Sequence, residues 1–172
     1  MTVISTAVRS ARRSRKFTQR DLAARAGVSQ SRVALAESGQ EDPRFGTASR
    51  LLGSAGYRLY AAPTTRDDVA TIAAAIRDAL VKGQPQLAFR YLVQLNDNLV
   101  AERGLLRGVL AVAAPELTGS RTWDAAIAAL VAYRLNEQRV PLPEWVAEPE
   151  RRLQRARPPV GDVAAPMPTR AG

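Results

Sequence analysis

Apolar residues recur at helical spacing along most of this chain, and the runs are separated by glycines, prolines and short polar caps. Over residues 3–15, Ile4, Ala7, Val8 and Ala11 form one stripe, with Arg9, Arg12, Arg13 and Arg15 on the remaining faces. Two shorter helices are predicted between Thr18 and Gly39. Another over about 44–54 offers Phe45, Ala48, Leu51 and Leu52 to a core. The pattern then changes period: Tyr57, Leu59 and Ala61 alternate with Arg58 and Tyr60. Residues 57–62 therefore read either as a short β-strand, pairing with its copy in a second subunit, or as an extended linker. Helical spacing returns from Asp67 or Asp68, either of which can cap a helix carrying Val69, Ile72, Ala73, Ile76 and Leu80. Further helices are predicted at about 86–102, 104–113 and 123–136, and a short one after the prolines 141, 143 and 149. From Pro158 the chain is rich in Pro, Gly and Ala with little to bury, which predicts disorder. The expected fold is all-α, divided into an N-terminal bundle (1–62), a second helical region (67–156) and a disordered tail (157–172).

The stretch between Thr18 and Gly39 is the most specific. Thr18 precedes Asp21 by three residues, a capping-box-like start, and Leu22, Ala23 and Ala26 give the first helix one apolar face. Gly27 stops it, since glycine enters the left-handed region without a steric penalty. Val28 fills the corner and Ser29 can cap a second helix from Gln30 to about Ser38, which Gly39 ends. On that helix Val33 and Ala36 share a face, leaving Gln30, Ser31, Arg32, Ala34 and Leu35 on others. Two helices joined by so short a turn form a helix-turn-helix, whose second helix suits the DNA major groove.

Charge sharpens that reading. Residues 1–60 carry 11 Lys+Arg against 4 Asp+Glu, a net of +7; residues 61–172 carry 14 against 12, a net of +2. A general preference for Arg explains why only Lys16 and Lys82 are lysine, but not why the excess lies on one half. A polyanion bound by the first half would explain it. Cys and His are both absent, which excludes disulfides, thiolate chemistry, most zinc sites and the commonest nucleophile–base pairs. The carboxylates of the second half show no metal-ligand spacing, and neither a Gly-rich phosphate loop nor a nucleophile elbow is present. The sequence therefore points away from an enzyme, and to no metal or cofactor. No apolar run approaches the ~20 residues that cross a bilayer. The opening MTVISTAVRSARRSRK lacks the apolar core of a signal peptide, so a cytoplasmic protein is expected.

Residues 4–60 resemble the XRE family, the DNA-binding domain of lambdoid phage repressors and many bacterial regulators. The residues that carry the resemblance are Thr18-Gln19, Leu22-Ala23, Gly27-Val28-Ser29, Val33, Glu37-x-Gly39 and Pro43-Arg44-Phe45. The resemblance implies a compact lambda repressor-like bundle, here of four helices plus an altered end. It implies that Gln19 and Gln30, opening the two helices of the motif, hydrogen-bond to each other while Gln30 reads a base. Gln30 suits adenine N6/N7. Arg32 suits guanine or a phosphate, and Leu35 packing rather than a thymine methyl. The N–H groups around Gln19 offer a phosphate site, and the resemblance places Arg44 on the DNA side. The expected DNA-binding set is thus Thr18, Gln19, Ser29, Gln30, Ser31, Arg32 and Arg44. By resemblance, too, Arg12 pairs with Glu37, whose carboxylate faces the negative end of its helix dipole and gains from a cation. The chain departs from the family in Gln40-Glu41-Asp42, an acidic loop where relatives commonly carry basic residues.

The resemblance implies a repressor acting as a homodimer on an inverted repeat of double-stranded operator DNA, in a bacterial cytoplasm and on the nucleoid when bound. For the second half two readings stand. In one it neutralises a cognate toxin, making the whole an autoregulating antitoxin of a toxin–antitoxin system. In the other the chain is a stand-alone regulator whose helical region dimerises or senses a small ligand. Trp145, set between prolines, is the residue flagged as a partner anchor, against the plainer reading of a Trp in its own core.

Overall fold

The structure is a computed structural model that describes residues 3–153; the tail expected to be disordered at 157–172 lies outside the described residues. Four helices build the N-terminal half: α1 (Val3–Ser14), α2 (Gln19–Ala26), α3 (Gln30–Ser38) and α4 (Phe45–Ser54). Four more build the second half: α5 (Val69–Val81), α6 (Pro85–Ala101), α7 (Leu105–Ala111) and α8 (Arg121–Asn136). Two short 3-10 turns, Glu144–Ala147 and Pro149–Arg151, follow in place of the expected last helix.

Local chemistry accounts for the boundaries. The Thr18 hydroxyl accepts the Asp21 N–H at 3.1 Å while the Asp21 carboxylate accepts the Thr18 N–H at 2.8 Å, so the capping box is closed. The Thr18 hydroxyl and the Thr18 N–H, both donating to the Asp21 carboxylate, hold that carboxyl below the usual aspartate range. Ser29 accepts the Arg32 N–H to start α3, and Asp68 accepts the Thr71 N–H to start α5. Gly27 takes φ 62° and ψ 39°, turning the chain so that the Val28 N–H reaches the Ala23 carbonyl.

Each half has its own hydrophobic cluster. Val8, Ala11, Leu22, Val33, Leu51 and Leu52 are at the centre of the first, with Val28 and Leu59 packed against it. The second gathers Ile72, Ile76, Leu95, Leu99, Ile127 and Val131 from α5, α6 and α8, with α5 and α6 paired as a hairpin. The halves touch through polar contacts: the Ser10 hydroxyl accepts the Ala114 N–H at 2.8 Å, and Thr64 donates to Glu102 at 2.7 Å. Arg9 of α1 pairs with Glu116, which also pairs with Arg77 of α5.

A buried arginine organises the second half. Arg107 donates to the carbonyls of Glu102 at 2.9 Å and Arg134 at 2.7 Å, supplying a cation to the ends of both α6 and α8.

One pair of alternatives is decided and one expectation is corrected. Among the described residues no strand forms, and 57–62 runs as an extended connection. The Tyr57 N–H is spent on the Leu52 carbonyl at the end of α4, and Leu59 packs down on the first cluster. In a single copy no strand edge lies alongside to pair with the rest. Phe45 is 74% exposed rather than in the core. It lies on the first residue of α4, and Ala48, Leu51 and Leu52 fill the buried face instead.

Candidate nucleic-acid interface

The scaffold behind α3 is centred on Glu37, a carboxylate 1% exposed in the last turn of that helix. Arg12 meets it with two donors, Nε to Oε1 at 2.6 Å and Nη2 to Oε2 at 3.0 Å. The remaining Arg12 nitrogen donates to the Phe17 carbonyl at 2.7 Å, which fixes the loop between α1 and α2. Gln19 Nε2 adds a third donor to Glu37 at 3.0 Å, and Arg9 donates to the Glu37 backbone carbonyl. A buried carboxylate tolerates its surroundings only when its lone pairs are satisfied, and these donors satisfy them. Burial pushes the Arg9 guanidinium below its usual range, with the Glu37 charge opposing the shift.

This geometry corrects one implied contact. Gln19 does not bond to Gln30; its amide is drawn to the buried carboxylate, a stronger acceptor than a neutral amide on the surface. Gln30 is left exposed, with its polar atoms outward.

The opposite side of α3 is open. Val33, Ala36 and Glu37 are buried, Ala34 is half-buried, and Gln30, Ser31 and Arg32 are exposed. Leu35 is 39% exposed, so it lies with the outward residues instead of packing inside. Gln30, Ser31, Ala34 and Leu35 line one recess on this face. Arg32 is half exposed and pairs loosely with Glu41 of the acidic loop, Nη2 to Oε1 at 3.7 Å. Thr18 and Ser29 sit at the starts of α2 and α3 as caps, and their hydroxyls already serve the helix N–H groups. The Gln19 and Arg20 N–H groups have no intrahelical acceptor, as at the start of any helix. Arg44 is exposed at the start of α4, beside Phe45.

Trp145 is not a surface anchor. It is 4% exposed, its indole N–H donates to the Ala111 carbonyl at 2.9 Å, and the Arg151 guanidinium lies 5.0 Å from its ring centre. Its burial in the second cluster fits the plainer reading of a Trp in its own core and not that of a partner anchor. The residues that sequence reading missed are Arg9, Glu116 and Arg151, all held by groups distant in the chain.

Among the described residues no group of three or more His, Cys, Asp or Glu side chains could hold a metal ion. No helix among them is long and apolar enough to cross a membrane.

Comparison with known proteins agrees with this geometry. No curated protein and no solved structure matches the chain. A family model described as Helix-turn-helix matches residues 8–59, a span running from α1 to just beyond α4. Residues 8–59 therefore match the XRE-family helix-turn-helix, and that match supports a DNA-binding transcription regulator.

Proposed function

We propose that this chain is a sequence-specific repressor that binds an inverted repeat as a homodimer, laying α3 of each copy into the major groove. The observation that carries this is the division of α3 itself. Its inner face is locked by Val33, Ala36 and the buried Glu37, while Gln30 and Ser31 stand free on the outer one and Arg32 is held only loosely by Glu41. Rigid backing and unspent donors are what base reading requires, because the reader must arrive already oriented. Gln30 suits adenine and Arg32 guanine or a phosphate. Thr18, Gln19, Ser29 and Arg44 flank them toward the backbone. Two-fold symmetry sets the half-sites ~34–36 Å apart. The test is competition between operator and random DNA. Replacing Gln30 and Arg32 together by Ala removes discrimination without unfolding the domain; unchanged discrimination refutes the assignment of α3.

For the second half, a stripe on α6 favours a protein partner. Phe89, Val93 and Val100 fall on one side of that helix and are 38%, 44% and 46% exposed. We read the partner as a cognate toxin, so that the chain is an antitoxin repressing its own operon. A stoichiometric protein recovered with the tagged chain, together with DNA of its own promoter, supports this. DNA from scattered promoters and no protein partner makes it a stand-alone regulator.

A further inference from the structure

We propose that the cleft between α1 and the C-terminal turns binds a small organic monocarboxylate with an apolar body, and that this ligand adjusts how the chain holds DNA. The cleft is a cavity of about 480 Å³, within the range of small-molecule sites. Both halves build it. Ser10, Arg13 and Ser14 come from α1, and Arg15 and Tyr57 from the adjoining loops. Val112, Leu142, Pro143 and Trp145 supply an apolar wall opposite, completed by Glu144, Glu148 and Arg151.

The charges of this wall select the ligand. Arg151 is 3% exposed, donates through Nη2 to the Pro115 carbonyl and pairs through Nε with Glu148, yet its Nη1 has no hydrogen-bond partner among the described residues. An orphaned donor on a buried guanidinium is costly, and a carboxylate would satisfy it. Arg15 spends Nε on the Ala55 carbonyl and lies over the Tyr57 ring. Arg13 is exposed, with no side-chain hydrogen bond or ion pair among the described residues. Three arginines against two glutamates leave one net positive charge, which suits a monoanion better than a phosphate dianion. The apolar wall then takes the body of the acid.

The consequence for DNA rests on the regulator reading; the binding site does not. The residue next to Ser10 is Arg9, which braces the end of α3 and pairs with Glu116 across the same junction. A ligand spanning the junction therefore acts on the helix that holds the reader.

The test uses the full chain and follows tryptophan fluorescence, since Trp145 borders the cleft. Phenylacetate is titrated beside its neutral amide, phenylacetamide, and inorganic phosphate. The expected result is a saturable change with phenylacetate alone, weakened about tenfold or more by Arg13→Ala, a loss equal to one charge-assisted contact. Arg13 is exposed, so this variant folds even where Arg151→Met does not. An equal response to the amide overturns the anion site, and a response to phosphate alone overturns the ligand class. No saturable response, or one that Arg13→Ala leaves unchanged, overturns the site itself. Gel shifts of the same samples read DNA binding separately, so failure of the regulator reading is distinguishable from failure of the site.

Discussion

Arg12 and Glu37, 25 residues apart, meet through two parallel N–H···O bonds at the inner end of α3. The pair joins the first helix to the end of the third, and Gln19 closes the arrangement from the second. Because Glu37 is buried, its partners matter more than the net worth of the pair: a carboxylate stripped of its cation is left charged in a poor solvent. Arg12→Ala should therefore destabilise the N-terminal half by ~3–5 kcal/mol. The measure is urea denaturation of the isolated and full-length chains. A loss below ~1 kcal/mol would place the pair with ordinary surface ion pairs and remove it as the brace of α3.

The loose contact between Arg32 and Glu41 predicts an effect of opposite sign. Both side chains are about half exposed and 3.7 Å apart, so the pair stabilises the fold little. It does hold a DNA-facing cation against an acidic loop, and that contact must open before Arg32 reaches a base or phosphate. Glu41→Ala should therefore strengthen DNA binding about two- to fivefold, the equivalent of ~0.4–1 kcal/mol. The gain should shrink at high salt, where screening already weakens the pair. Binding curves at two ionic strengths decide it; unchanged or weaker binding shows that Glu41 does not restrain Arg32.

The fold was legible in the sequence where the determinants are local. Thr18, Ser29 and Asp68 announce helix starts through their own hydroxyl or carboxylate, Gly27 and Gly39 announce stops, and the core stripe of α1 follows from spacing alone. What was not legible depends on which neighbours arrive from elsewhere. Phe45 shares helical spacing with Ala48 and Leu52, yet nothing packs over the first turn of α4 and it stays in solvent. Trp145 left an anchor and a core residue open in sequence, and the structure decides for the core, where Ala111 offers it a carbonyl and Arg151 covers its ring. No local pattern marks Arg107 and Arg151 as buried, because carbonyls that hold them lie on other elements. The family resemblance implied Gln30 as the partner of Gln19, and only the three-dimensional position of Glu37 shows that the amide goes there instead.

The capping box makes the start of α2 sensitive to acid. The Thr18 hydroxyl and N–H hold the Asp21 carboxyl below its usual range, so the folded chain binds that proton less readily than the unfolded one. Its contribution is present in full above the unfolded aspartate value, about 3.9, and is lost as pH falls through the lower folded value. Thr18→Ala should cost ~1 kcal/mol at neutral pH, as for other lost N-caps. It should also flatten the acid limb of the stability curve below about pH 4. Thermal melts of both proteins across that range make the comparison. Parallel acid limbs would show that Asp21 is titrating without help from the cap.

Cutting the chain after residue 66 separates reading DNA from holding the dimer. All the residues of the first hydrophobic cluster lie between Ile4 and Leu59, so the fragment keeps its core and its Arg12–Glu37 pair. It loses the polar contacts of Arg9 with Glu116, Ser10 with Ala114 and Thr64 with Glu102. None of these is a hydrophobic contact, and Arg9 retains its bond to the Glu37 carbonyl. The fragment should therefore fold as a monomer with a helical spectrum and a cooperative melt. If the second half supplies the dimer contact, each fragment binds a half-site alone and affinity for the inverted repeat falls steeply, while the preference for operator over random sequence survives. Sedimentation together with quantitative gel shifts separates the outcomes. A dimeric fragment with full affinity would move the dimer contact into the first 66 residues, where 57–62 is the one extended segment available to pair with its copy.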